Sequence, residues 1–149
     1  LSFFIYIFEQ IMHQIIGDIE LDTNGPNLID ITRHIASWIK INKFEKGILN
    51  LYILHTSASL LIQENADPDV LEDLLNFFSK IAPTNNNYKH QSEGKDDMPA
   101  HIKSSLTNTS LSISVHQSKL MLGTWQGIYL FEHREKSRTR KVKLHFIGE

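Results

Sequence analysis

The sequence predicts an α+β domain. Six short runs either alternate apolar with polar residues or stay apolar for about seven positions, as strands do. Two longer stretches repeat apolar residues every three or four positions, as helices do. Gly, Pro, Asn and Asp cluster between these runs and mark where one element ends and the next begins.

In order, Met12 to Leu21 alternates well enough for a strand, and Asp22-Thr-Asn-Gly-Pro supplies the turn after it. Leu28, Ile31, Ile35, Trp38 and Ile39 then recur at helical spacing, with Asn27 or Asp30 available as a cap; His34 beside this stripe reads as a surface residue. Ile48 to Leu54 is an apolar strand that delivers His55 at its end. Counting by two puts His55 on the face of Leu49, Leu51 and Ile53, where an imidazole needs a partner. After the hydroxyl-rich Thr56-Ser-Ala-Ser, Leu60 to Asn65 resumes a strand with Glu64 on the face of Leu60 and Ile62. Asp67-Pro68 opens a second helix with a packing stripe of Val70 or Leu71, Leu74, Phe77, Phe78 and Ile81. Pro83 to Asn87 is a turn, and Pro99 to Leu106 suits a short third helix. Leu111, Ile113 and Val115 alternate with serines, Lys119 to Thr124 reads as a hairpin-like connection, and Gly127 to Glu132 and Val142 to Phe146 are the closing strands. The basic run Arg134 to Lys143 reads as a solvated hairpin, apart from Arg140, which has the parity of the buried residues.

A chain of 149 residues, 41% hydrophobic and 21% charged, suits one globular domain. With no repeat and no second domain in sight, that domain is expected over 12–149, with 1–11 as an extension outside it. The formal charge of −2 predicts no general attraction to nucleic acid. The absence of cysteine excludes disulfides, thiolate metal sites and a cysteine nucleophile, and fits the expected cytoplasmic location. The apolar opening Leu1 to Phe8 falls short of the roughly 20 residues of a membrane span and lacks the basic start of a secretory signal. No membrane association is expected.

The chemistry concentrates between Tyr88 and Ser105. His90, Glu93, Asp96, Asp97 and His101 place five ligating or proton-moving side chains within twelve positions, punctuated by Gly94 and Pro99. Imidazoles with carboxylates suit zinc, manganese or magnesium, although the spacing matches no compact metal motif. The start of the 99–106 helix would add exposed amides near any anion.

Four ordered blocks resemble one known family: His55-Thr-Ser-Ala-Ser-Leu with Glu64-Asn-Ala-Asp67; Tyr88-Lys-His90 with Glu93-Gly-Lys-Asp96-Asp97; Ala100-His101-Ile-Lys-Ser-Ser-Leu; and Leu122-Gly-Thr-Trp125-Gln126-Gly-Ile-Tyr-Leu, with Gly148-Glu149 closing the chain. This is the YjbQ-like family of secondary thiamine-phosphate synthase enzymes, and the likeness covers about Met12 to Glu149. Ser57 for Thr, Gln63 for Asn and a changed turn at His116 to Lys119 are small departures. The resemblance implies antiparallel β-sheets in a sandwich or barrel-like arrangement with two to three packing helices, and a homotrimer. It further implies a pocket holding a divalent metal, zinc first and magnesium or manganese next. By matching position, His55, His90 and His101 are the expected metal ligands; Glu64, Glu93, Asp96 and Asp97 the expected catalytic groups; and Trp125, Gln126, Arg140 and Lys103 the substrate-binding groups, with Asp67 and Glu132 also in the surrounding shell. The implied activity joins a thiazole phosphate to a pyrimidine methyl pyrophosphate with release of pyrophosphate, weakly. The same pocket also suits metal-assisted hydrolysis of a phosphate or ester, with Glu64 or Glu93 as base, or a non-catalytic trimer that binds a small anion.

Overall fold

The computed structural model describes residues 12–149, so the extension expected over 1–11 lies outside the described residues. The elements run β1 (His13–Thr23), β2 (Asn27–Asp30), α1 (Thr32–Ile41), β3 (Lys46–Ile53), β4 (Ala58–Glu64), α2 (Pro68–Ile81), α3 (Asp97–Leu106), β5 (Ser110–His116), β6 (Lys119–Leu120), β7 (Gln126–Glu132) and β8 (Arg138–Gly148). Two antiparallel sheets result: a five-stranded one in the order β1-β8-β3-β5-β6, and a three-stranded one in the order β2-β7-β4. The α+β arrangement of antiparallel sheets expected from the sequence is the arrangement found.

The main core lies between the sheets. Leu49, Leu51 and Ile53 of β3, Ile113 and Val115 of β5, and Val142, Leu144 and Phe146 of β8 face Leu60 of β4 and Ile128 and Leu130 of β7. Each set repeats every second residue because strand side chains alternate faces. Helix α1 contributes Ile31, Ile35 and Ile39 to this core and is pinned to β7, where Ile31 N–H donates to the Ile128 carbonyl (2.8 Å) and Ile128 N–H to Thr32 Oγ1 (2.8 Å). Phe44 stacks on Phe146 at 4.0 Å. The Phe146 ring covers the opposed glycines Gly47 and Gly148, where an added Cβ would stand 2.7 and 2.8 Å from its Cζ.

A smaller cluster covers the other face of the three-stranded sheet. Leu71, Leu74, Leu75 and Phe78 of α2 pack on Leu28, Tyr129 and Phe131. Central strand β7 is therefore buried on both faces from Gly127 to Glu132. Asp67 caps α2 by accepting the Asp69 N–H at 2.9 Å.

Four local expectations are corrected. Leu28 belongs to β2, paired with Phe131, because ladder bonds to β7 take that segment before α1 begins at Thr32. Phe77 and Ile81 are exposed, and Leu75 takes the packing position, because α2 presents a face rotated from the expected stripe. Helix α3 starts at Asp97, since Pro99 is tolerated within a first turn. The 119–124 segment pairs only at Lys119 and Leu120, through a two-residue turn in which Gln117 and Ser118 have φ of 51° and 58°.

Candidate metal centre and its cleft

The end of β3, the start of β4 and the start of α3 meet beside the loop that carries His90. Asp97 and His101 are one turn apart on α3 and share a face. Asp97 Oδ2 lies 2.7 Å from His90 Nε2 and 3.5 Å from His101 Nε2, and all three ligand atoms lie within 4.8 Å of one another. Nitrogen and oxygen ligands of a tetrahedral zinc stand roughly 3.3 Å apart, so the His101–Asp97 separation suits such an ion and the closer His90–Asp97 pair would have to open.

The second atom of each group decides what the first can do. His101 Nδ1 lies 3.0 Å from the Thr56 carbonyl, which only accepts, so Nδ1 carries a proton and Nε2 is the atom turned toward Asp97. This is the orientation that an outer hydrogen bond gives a metal-binding histidine. Asp97 Oδ1 is gripped by Arg134, whose guanidinium also donates to Asp96 Oδ2 (2.9 Å) and to the Glu93 carbonyl (2.8 Å). Burial works against ionising Asp97, but the His90 hydrogen bond and the charge of Arg134 outweigh it and hold the carboxyl below its ordinary value. Asp96 is likewise held low, its own burial being outweighed by Arg134 and the Glu135 amide.

His55 has a different part. The Lys141 amide donates to His55 Nε2 at 2.9 Å, which consumes that lone pair and puts the proton on Nδ1. Burial, and then the Arg140 charge, lower its pKa and keep it neutral. The geometry thus leaves His55 as a hydrogen-bond donor outside the cluster, and Asp97, expected as a catalytic carboxylate, is the group that stands with His90 and His101 as a candidate ligand. His55 and His101 line a cleft of about 690 Å³ with Thr56, Ser57, Ser104 and Ser105.

The other expected residues separate. Arg140 is buried and forms a two-pronged pair with Glu132 (Nε–Oε2 and Nη2–Oε1, both 2.6 Å), with a further bond from Nη2 to Ser57 Oγ at 3.1 Å. Glu132 also accepts from Thr23 Oγ1 (2.5 Å) and the Arg134 amide (2.9 Å), so this pair is structural. Lys103 points to the opposite side of α3 from His101, because two residues of helix turn through about 200°. Glu64 and Gln126 pair with each other at the far end of β4, six residues from Ala58, roughly 20 Å along the strand. The Gln126 side chain accepts the Gly123 N–H (2.7 Å), and neighbouring Trp125 is exposed. Glu93 is exposed; its carbonyl accepts from Arg134, and its carboxylate reaches that guanidinium only through space.

Sequence reasoning missed Arg134 and His133 by placing Arg134 in a solvated basic run. The available signal was their position directly after Gly127 to Glu132, a run apolar enough to be covered on both faces, whose burial the next residues inherit.

Among the described residues no helix is long and apolar enough to cross a membrane. The model of the family described as UPF0047 protein YjbQ-like matches residues 17–149. The UPF0047 protein sll1880 of Synechocystis sp. is 46% identical over 128 residues, 85% of this chain and 87% of that one. The UPF0047 protein YjbQ of Escherichia coli O157:H7 is 45% identical over 120 residues, 80% and 85% of the two chains. A solved yjbq/upf0047 protein from Clostridium acetobutylicum superposes with TM-score 0.78 at 38% identity, covering 89% of this chain and 98% of that one. A YbjQ-like protein from Sulfolobus solfataricus P2 shares the fold at TM-score 0.86 and 24% identity, covering 93% and 100% of the two chains. Matched over nearly all of its described length, this chain belongs to the YjbQ-like UPF0047 family.

Proposed function

We propose that the protein is a metal-dependent enzyme acting on a small phosphorylated metabolite, and that its reaction is the weak thiamine-phosphate synthesis implied by the family resemblance. The observation that carries the metal reading is the orientation of His101, whose Nδ1 proton is spent on the Thr56 carbonyl so that Nε2 faces Asp97. His90 Nε2, His101 Nε2 and one Asp97 oxygen would hold the ion, with Arg134 fixing the other Asp97 oxygen. Zinc suits two imidazoles and a carboxylate better than magnesium does.

A bound divalent ion supplies charge neutralisation for a departing pyrophosphate. His55 donates its Nδ1 proton in a hydrogen bond to the same leaving group, and Ser57, whose Oγ accepts from Arg140 and keeps its own proton free, orients a remaining phosphate oxygen. In the overall step the bond from the pyrimidine methylene carbon to pyrophosphate oxygen breaks, and a bond from that carbon to the thiazole nitrogen forms. Glu64, Trp125 and Gln126 are too far along β4 to serve the same chain's cleft; the proposed homotrimer is where they would meet a neighbour's. Hydrolysis is the weaker reading, because Glu64 sits at that far end and Glu93 contributes a carbonyl rather than a carboxylate.

Metal analysis of the purified protein with a pyrophosphate-release assay on both substrates tests this. The wild type should retain zinc and release pyrophosphate, while Asp97→Asn and His101→Ala, each removing a direct ligand, should lose most of the bound metal. Equal metal content in all three, or equal rates for wild type and His90→Ala, overturns the proposal.

A further inference from the structure

On the far side of α3 from His101 lies a second cavity, of about 570 Å³, between α2, the end of β7 and α3. One wall is aromatic: Phe78 meets Phe131 edge-on at 5.2 Å, and Phe131 lies 4.2 Å from the His133 ring. Leu75 extends this wall. Lys103 is 8% exposed, lines the same cavity, and forms no side-chain hydrogen bond or ion pair among the described residues. His133 is 2% exposed; its Nε2 bonds Ser59 Oγ at 2.9 Å, and its Nδ1 is the one buried side-chain nitrogen or oxygen without a partner among the described residues.

An ammonium largely withdrawn from water and without a bonded partner is costly even with the charges of Glu135 and Asp96 nearby, and buried polar groups ordinarily find partners. Here an ammonium without a hydrogen-bonded partner and one orphaned buried imidazole nitrogen border a single cavity of ligand size with an apolar wall. We propose that this cavity binds a small apolar monocarboxylate, its carboxylate on Lys103 and its flat or branched body against Phe78, Phe131 and Leu75. The single negative charge follows from the lining. Lys103 is the one cation lining it, burial keeps His133 neutral by lowering its pKa to about 3, and the Glu135 carboxylate, which already offsets part of the Lys103 charge, repels a second negative charge. No residue of the His90, Asp97 and His101 cluster lines it, so this site stands or falls apart from the proposed enzyme activity.

Titrating the full chain with phenylacetate, phenylacetamide and phenyl phosphate, by calorimetry and by NMR of the Leu75 methyls and the Phe78 and Phe131 rings, tests the assignment. Phenylacetate should bind saturably and shift those signals, with the uncharged amide and the dianionic phosphate weaker by about tenfold or more. Lys103→Met should weaken phenylacetate by the same factor, Lys103→Arg should retain it, and His90→Ala should bind like the wild type. Absence of saturable binding, shifts centred elsewhere, equal binding of the amide or the phosphate, or loss in Lys103→Arg when circular dichroism shows it folded, overturns the proposal.

Discussion

Acidifying the protein from pH 7 to pH 5 should remove about 2 kcal/mol of stability through His133 alone. In the folded chain His133 is 2% exposed, and burial, with the nearby charge of Lys103, lowers its pKa from 6.5 to about 3. The unfolded chain has an ordinary histidine at that position. Between those two values the unfolded state binds the extra proton, so stability rises with pH through that window. The contribution is fully present above 6.5 and is lost as pH falls, at up to about 1.4 kcal/mol per pH unit. Asp96, Asp97 and Glu132, all held below their ordinary values, follow the carboxylate rule and lose their contributions only at lower pH, so the loss down to pH 5 belongs mainly to histidine. His55, with its pKa lowered first by burial and then by Arg140, adds a smaller loss of the same sign. The assay is urea unfolding at pH 7, 6 and 5, at one protein concentration and with chelator present, on the wild type and His133→Gln, whose amide nitrogen can reach Ser59 in place of Nε2. The variant should be less stable at pH 7 and should lose much less between pH 7 and 5. An equal loss in both proteins refutes the argument that a buried neutral imidazole sets the acid limb.

Glu132→Gln keeps the shape of the side chain but leaves the Arg140 guanidinium buried without its partner, and urea unfolding should show a cost of about 3 to 5 kcal/mol. Gly47→Ala places a methyl 2.7 Å from Phe146 Cζ and 2.8 Å from Gly148 Cα, so part of the shift must come from backbone; thermal unfolding should show a loss of about 1 to 3 kcal/mol, with the Phe44–Phe146 stack disturbed in the near-ultraviolet dichroism.

The strands were legible because burial on one face forces alternation, as in Leu49, Leu51 and Ile53 or Val142, Leu144 and Phe146, and the same parity singled out Arg140 as a buried residue in a basic run. Parity gives burial but not partners, and the Arg140 guanidinium is taken up by Glu132 rather than left for a substrate. Strand β2 was illegible for a related reason. Leu28 to Ile31 fits a helical stripe as well as a strand, and only the β7 ladder, a contact far along the chain, decides between them. At the site, the crowding of His90, Asp97 and His101 in sequence was enough to mark it, since an i,i+4 pair on a helix and a short preceding loop leave little freedom. His55 was legible as a histidine needing a partner. That the partner is the Lys141 amide depends on how β3 and β8 end, which no local pattern encodes.

On the proposed reading, the charges around the cluster explain why the cleft does without the basic residues expected to face it. Asp96 and Asp97 against Arg134 leave one more acidic than basic side chain at the cluster. A divalent ion held there would turn that balance positive, at the point where His101 borders the cleft. On the proposed reading this is the charge that a phosphorylated substrate meets, so Arg140 is free to be neutralised by Glu132 behind Ser57, and Lys103 to turn to the other side of α3. The arrangement also makes anion binding conditional on the metal. A phosphate should bind the cleft of the loaded protein and be repelled by the bare one, because the first field is attractive and the second is not.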